Sequence, residues 1–597
     1  MNSPPAAAKE QQALQDALAL HREGKRDLAM QRYIAILKDN PQNLDALFYV
    51  AVIATQEGQF AEGIKVAERA LAIGPPQARL HNLVGQACLR LNRDDDALAS
   101  FERAIACQPD FADAYGNRAT LLGEMGRRDE ALAAFDQALA LRPNNPEDLC
   151  NKATVLADLG RLPEALATYD RAIARVPDFA LAQFNRADVL RQLGRLTEAL
   201  TAYERAIALQ PKMVIAHSNR AATLKQLGRL DEALKGIEQA LALDPNFGEA
   251  LVNRGNIALE RGDTDAANAD FTRALEIDPE RPEANFGRAM ILLSQSDWEN
   301  GFRLYDYREK LPTPPYVPLP YRRWEGEPLH GERLMLVCEQ GLGDTINFCR
   351  FAPLLAARGA DVTILTSQQM RPLLSTLAGV TVLAATNAPA PNGKPQCWLP
   401  LMSVPGALKL KPDAIPADVP YLTAEPERID IWRRKLGEGG FKIGINWVSG
   451  AADNVFARRR DIPLTAFAPL AALPDVRLIS LQKGDAARQI GQVQFRDRIE
   501  IVDADLDPNH NYFLDTAAVM TQLDLVVTCD TSVPHLAGAL ARPVFVALPR
   551  VADWRWMRDR DDCPWYPTMR LFRKGDAPDW NDVMARIAKA VTETMTR

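Results

Sequence analysis

The sequence predicts two architectures in one chain: an α-solenoid of stacked helix pairs, followed by an α/β region of two sheet-bearing lobes. Three observations predict this. A proline returns every 34 residues from Pro41 to Pro279. Strand-like apolar runs alternate with helical ones from Arg333 to Met595. Between the two, residues 311–321 read LPTPPYVPLPY, with five prolines in eleven positions, and continue neither pattern.

The repeat register is carried by Pro41, Pro75, Pro109, Pro143, Pro177, Pro211, Pro245 and Pro279. Gly24, Gly58, Gly126, Gly160, Gly194, Gly228 and Gly262 keep the same step, interrupted only by Asn92. A small residue follows each by five (Ala29, Gly63, Ala97 and onward), and usually an aromatic four later (Tyr33, Phe101, Phe135, Tyr169, Tyr203, Phe271). Glycine turns the chain between two helices, the small residue lets them approach, the aromatic fills the groove and proline ends the second helix. The unit resembles the tetratricopeptide repeat in period and residue types. Eight units span residues 10–281, with a decayed ninth near 282–310, giving an array over 10–310 whose concave surface suits an extended peptide or a partner helix.

A second series lies within the first helices: Asn117, Asn151, Asn185, Asn219 and Asn253. Each stands roughly 200° around the helix from the packed small residue two places on, hence on the open face. An amide carries donor and acceptor, so such a row can hold a polypeptide backbone with little regard to sequence. The row resembles the asparagine ladder of O-linked N-acetylglucosamine transferases, which implies that these five asparagines bind a protein acceptor. The competing reading is that they stabilise the superhelix or face water. Asn82 falls one place before the expected position at Leu83, so the row should not reach the first units.

After the connector (311–329), a first lobe is expected over 330–425. It opens with strand LMLVC, the loop Gly341-Leu342-Gly343-Asp344, and a helix. Strands DVTILTS, VTVLAA and CWLP follow, and residues 416–436 read as a crossing between lobes. The second lobe, 426–597, contributes strands FKIGINW, VRLISLQKG, LDLVVTC and PVFVAL. Its last helix, 580–595, is long enough to fold back over the first lobe.

In architecture and through EQGLGDTINFCRF, SLQKG, TCDTSVPHLAGAL and the late Asp553-Trp554-Arg555-Trp556 and Pro564-Trp565-Tyr566 runs, residues 324–595 resemble the bacterial heptosyltransferase superfamily. The resemblance implies a GT-B fold of two Rossmann-like lobes with a donor cleft. With the repeats, the chain resembles bacterial repeat-containing protein glycosyltransferases, including enzymes that modify flagellin in alphaproteobacteria.

That resemblance implies an inverting transfer from a nucleotide-sugar to Ser or Thr of a protein, with flagellin as acceptor and a nonulosonic acid such as pseudaminic acid as sugar. The donor would then be a CMP-sugar, whose monophosphate leaving group departs from the diphosphate of heptosyltransferases. Asp344 matches the proposed base, although Asp is also a common helix cap. Thr531, Ser532 and Val533 offer N–H groups at a helix start for phosphate, with Asp530 as the cap. Arg460 stands where the transferases place a phosphate-contacting lysine; Lys483 is a second candidate cation, and His535 a candidate donor contact. Gly341 and Gly343 let backbone approach the donor. Two alternatives stay open: N-acetylglucosamine or heptose transfer from UDP- or ADP-sugars, and a scaffold without catalysis.

Composition bounds the rest. A net charge of −7 disfavours a nucleic-acid partner. Eight cysteines without paired spacing fit reduced thiols in a cytoplasm, and no run is long enough to span a bilayer. The acidic strings Asp503-Ala504-Asp505 and Asp559-Arg560-Asp561-Asp562 invite a metal, but the first lies in a loop away from the phosphate site. GT-B enzymes use cations and helix termini instead, so no metal and no cofactor are expected beyond the nucleotide-sugar substrate.

Overall fold

The computed structural model describes residues 4–339, 341–384, 393–449, 459–502, 506–507, 512–575, 577 and 579–596. The N-terminal region is a tetratricopeptide solenoid of helix pairs, from Pro4–Arg22 with Arg26–Asp39 to Pro282–Ser294 with Trp298–Tyr305. Each second helix up to Thr264–Ile277 ends two residues before its periodic proline, which cannot donate the next helical hydrogen bond.

The periodic glycines adopt left-handed backbone, for example +77° at Gly24 and +81° at Gly262. The two exceptions occupy the same conformation: Asn92 at +56° and, one repeat after Gly262, Ser296 at +66°. Asparagine tolerates that region best among residues with a Cβ, so the break at Asn92 leaves the turn unchanged. The small residues and aromatics form the inter-helix core, with Ala97, Phe101, Ala131 and Phe135 fully buried. Phe101 lies where a Cβ on Gly85 would be, so the glycine makes room for the ring.

The chain forms two compact units, residues 1–223 and 224–597. The division falls inside the array and not at the proline-rich connector. The reason is the fate of the last repeats. Trp298, Phe302 and Tyr305 enter one hydrophobic core with Leu334, Leu336, Phe348, Val526, Trp554 and Trp565 of the α/β region. The Trp298 and Trp565 rings stack at 5.8 Å. What reads in the sequence as decay of the ninth repeat is its recruitment into that core. The connector covers the outer face of the first sheet, where Tyr316 packs with Met335, Val337 and Trp398.

Among the described residues, every pairing between the strands of both sheets is parallel. The first contains β1 (Arg322–Arg323), β2 (Arg333–Val337), β3 (Asp361–Thr366), β4 (Thr381–Ala384) and β5 (Cys397–Pro400), in the order β1-β5-β2-β3-β4. The second contains β6 (Phe441–Asn446), β7 (Val476–Ser480), β8 (Ile499–Ile501), β9 (Leu525–Cys529), β10 (Val544–Leu548) and β11 (Met569–Arg573), in the order β11-β10-β9-β6-β7-β8. The second order is that of a doubly wound dinucleotide-type sheet, whose winding reverses between β6 and β9; the first reverses between β2 and β5.

One expectation is corrected. The helix Asn581–Met595 does not return to the first lobe: Val583, Met584, Ile587 and Val591 pack with Ile443, Leu464 and Phe467 of the second. Its apolar stripe is used up covering the second sheet. Among the described residues no helix is long and apolar enough to cross a membrane.

Candidate functional site

In open parallel sheets a ligand crevice forms outside the carboxyl ends of the strands where the winding reverses. In the second lobe those ends are Asn446 and Cys529-Asp530. Asn446 is the hub. Its Nδ2 donates to Gln482 Oε1 at 2.9 Å, and its Oδ1 accepts from Thr528 at 3.2 Å and Thr531 at 3.1 Å. The same Gln482 oxygen accepts the backbone N–H groups of Trp447 and Val448. Neither Asn446 nor Gln482 stands out in the sequence. The available signal was a polar residue closing each of two adjacent apolar strands.

The helix Ser532–Ala539 is capped by Thr531, whose Oγ1 accepts from Val533 N–H at 3.2 Å. Asp530 is therefore not the cap, and one of the three N–H groups expected for phosphate is already engaged. Asp530 is buried, its Oδ2 lacks a hydrogen bond, and Arg460 Nη1 stands 3.8 Å away. Burial raises its pKa to about 6, against the pull of Arg460. Arg460, the expected phosphate contact, thus faces this carboxylate. Its neighbour Arg459 reaches Glu260 of the repeats (3.3 Å), and Arg458 lies outside the described residues.

Asp344 is in the first turn of the helix Leu342–Phe348 but makes no capping bond. Its Oδ1 meets Arg555 Nη2 at 2.7 Å, and Arg555 Nε lies 3.3 Å from Asp553. Burial opposes the charge on Arg555, and Asp344 and Asp553 outweigh it, so the guanidinium stays protonated. Arg555 and Asp553 belong to the Asp553-Trp554-Arg555-Trp556 run, to which the sequence assigns no role. The fold sets them beside Asp344.

The two glycines have packing roles. A Cβ on Gly341 would collide with the Asp344 carboxylate folded over it. One on Gly343 would sit 3.1 Å from His535 Cδ2 and 3.4 Å from Ser532 Cα. Gly343 is thus the point at which the loop of the first lobe touches the helix start of the second. This brings Asp344, Thr531, Ser532 and His535 together. His535 is buried, stacks on Trp556 at 5.1 Å, and shares a 3.2 Å hydrogen bond between Nδ1 and the Tyr566 hydroxyl. Burial, helped by Arg555, Arg350 and Arg460, pushes its pKa well below the ordinary value and keeps the ring neutral.

Lys483 is not brought to this point. Its ammonium pairs with the buried Asp507 carboxylate, which also takes a hydrogen bond from Thr516. At the first lobe's reversal point, Glu339 is claimed by Arg308 from the end of the repeats, through bonds of 2.9 and 2.7 Å. Asp503 and Asp505 lie outside the described residues, and Asp561 and Asp562 pair with Arg570 and Arg560.

The asparagine row is cross-linked. Asn117 donates to Asn82 (2.9 Å), Asn151 to Thr120 (3.4 Å), Asn185 to Thr154 (3.5 Å) and Asn219 to Asp188 (2.9 Å). Thr120, Thr154 and Asp188, the acceptors, form a further 34-residue series, legible only beside the asparagines they bond. Each of these four amides spends one N–H between repeats, so this part of the row offers chiefly its carbonyl oxygens. Asn253 is half-buried.

A cavity of about 550 Å³ adjoins the Asp344 cluster. Leu259, Thr264, Met290 and Ser294 of the repeats form one wall, and Val551, Asp553, Trp554 and Arg558 another. Arg558 ties the walls together through Thr264 (2.9 Å) and Ser294 (3.1 Å). Asp553, on the lining, is one guanidinium away from Asp344.

Residues 20–87, 112–145, 150–214, 218–282 and 252–309 match the tetratricopeptide repeat family. Protein FlbA of Caulobacter vibrioides is 28% identical over 321 residues, covering 49% of this chain and 52% of FlbA. The chain thus spans about half the length of the curated relative it matches. The thermophilic repeat protein TTC0263 of Thermus thermophilus is 26% identical, with a TM-score of 0.27, over 30% of this chain and 98% of its own. YrrB, described as a repeat protein with an unusual peptide-binding site, is 22% identical, with a TM-score of 0.28, over 32% and 97%.

Proposed function

We propose that the chain is a glycosyltransferase that moves a sugar from a nucleotide donor to a Ser or Thr hydroxyl of a polypeptide. The observation that carries this reading is the meeting of Asp344 with the Thr531–Ser532 helix start across Gly343, beside a cavity walled partly by repeats. The acceptor oxygen bonds to the anomeric carbon as the bond to the departing phosphate breaks. Asp344 takes the hydroxyl proton, and the phosphate leaves with the electron pair toward the free N–H of Ser532 and the Arg460 guanidinium. In the resting protein Arg555 holds Asp344, which orients the carboxylate but weakens it as a base. Substrate binding must therefore draw Arg555 partly away, and the donor phosphate is the anion suited to do so.

The resemblance noted in the sequence makes flagellin and a CMP-linked nonulosonic acid the leading acceptor and donor, in a cytoplasmic reaction without metal. A melting screen against CMP, UDP, ADP and GDP tests the donor class, because a ligand at about a hundred times its Kd stabilises by about 2.7 kcal/mol. A rise with CMP alone supports the nonulosonic donor. A rise with UDP or ADP alone replaces it with N-acetylglucosamine or heptose transfer. Asp344→Asn is expected to abolish transfer while the nucleotide-dependent rise persists.

The scaffold reading draws on one observation, the locking of Asp344 by Arg555. It prevails if no nucleotide raises the melting temperature and Asp344→Asn changes nothing in an assay of the modified acceptor.

A further inference from the structure

The first repeats differ from the later ones at the asparagine register. Leu83 and Tyr49 occupy the positions one and two periods before Asn117. The amide row ends at Asn82, which accepts from Asn117. Immediately beyond it lies a cavity of about 620 Å³ lined by Phe48, Phe60, Leu83 and Phe111, with Arg79 and Arg90 on its wall and no acidic side chain in its lining. The Arg79 guanidinium lies 4.3 Å over the Phe48 ring and that of Arg90 5.4 Å over Phe60. Arg79 is shared with Asp45 at 2.7 Å; Arg90 has no carboxylate partner among the described residues.

We infer that this cavity is an anchor for a large apolar side chain, Phe or Leu, flanked by carboxylates, on the polypeptide that the repeats hold. Three phenyl rings and a leucine supply the apolar contact area, and rings flanked by guanidinium groups favour an aromatic guest. The rim carries uncompensated positive charge at Arg90, so an Asp or Glu beside the guest gains a charge-assisted bond that a Lys would forfeit. The amide row supplies sequence-tolerant contacts, and this anchor supplies the selectivity that the row lacks. The inference is independent of sugar transfer, because it concerns only what the first repeats bind.

The test uses a fluorescein-labelled peptide, Gly-Ser-Asp-Glu-Phe-Leu-Asp-Glu-Ser-Gly, titrated with the full chain by fluorescence polarisation. Control peptides replace Phe-Leu with Ser-Ser, or each acidic residue with Lys. Saturable binding of the first peptide is expected, weakened about tenfold or more in each control. Leu83→Asn, which extends the amide row into the pocket, and Arg90→Glu should each weaken the first peptide by a similar factor, with unchanged circular dichroism melting. The inference is overturned if the first peptide fails to saturate at about 1 mM. It is equally overturned if the Lys control binds as well, or if both variants keep the parent affinity. Should one variant melt early, the other and the peptide controls decide.

Discussion

Asp530→Asn is expected to stabilise the protein at neutral pH. Asp530 is 5% exposed, and its Oδ2 has no hydrogen bond. Burial lifts its pKa from 3.8 to about 6, Arg460 notwithstanding. As pH rises from about 4 to 6 the unfolded chain loses this proton first, so the folded state binds more protons in that window. Stability therefore falls as pH rises through it and stays lower above it. A pKa difference of about two corresponds to about 3 kcal/mol at pH 7. An amide of the same shape has no charge to desolvate but brings an N–H₂ group that needs partners, so a net gain of about 1–3 kcal/mol is expected. The unit 224–597 has about 370 residues, for which the unfolding entropy is about 0.8 kcal/mol per kelvin. The melting temperature should rise by about 1–4 °C at neutral pH and hardly at all near pH 4. Circular dichroism melts of parent and variant across that pH range provide the assay. A gain of equal size at both ends, or a loss at neutral pH, refutes the reasoning.

Arg308→Ala strands the buried Glu339 carboxylate, which otherwise takes two bonds from the guanidinium. A cost of about 3–5 kcal/mol is expected, seen as a melting point lower by about 4–6 °C. The Arg308→Met, Glu339→Met double variant should recover at least half of that loss. Gly343→Ala forces the two touching helices apart by a few tenths of an ångström and should cost about 1–3 kcal/mol, whereas Gly341→Ala displaces the Asp344 carboxylate and should reduce transfer more than stability. Removing residues 1–223 should leave the nucleotide-dependent melting shift intact and end modification of the protein acceptor. A cut at residue 281 also strips a cavity wall, along with the Arg459 and Arg558 contacts, so it should lose both.

The solenoid was legible because each repeat depends on neighbours 34 residues away, and the same residue types recur to do the same work. Even its exception was readable in principle, since Asn92 is a residue that tolerates the left-handed turn. Long-range pairings left no such trace. Arg308 meets Glu339, and Arg555 meets Asp344, because two sheets and a repeat happen to converge there, and a single sequence records no link between those positions. The helix at the chain end illustrates a related limit: its apolar stripe announced that a surface would be covered, but both lobes offered one, and only the packed structure assigned it. The glycine pair carries the same lesson into the proposed chemistry. A glycine permits close approach without naming what approaches. At Gly343 the visitor is a second helix, so a donor of the proposed kind would lie to one side of that contact. The sides available are the Asn446 end of β6, and the cavity lined by Asp553. On the proposed reading, a donor seated at the first and an acceptor entering by the second both approach Asp344, so the Arg555 guanidinium that holds it, and not the glycine loop, is the group that binding has to displace.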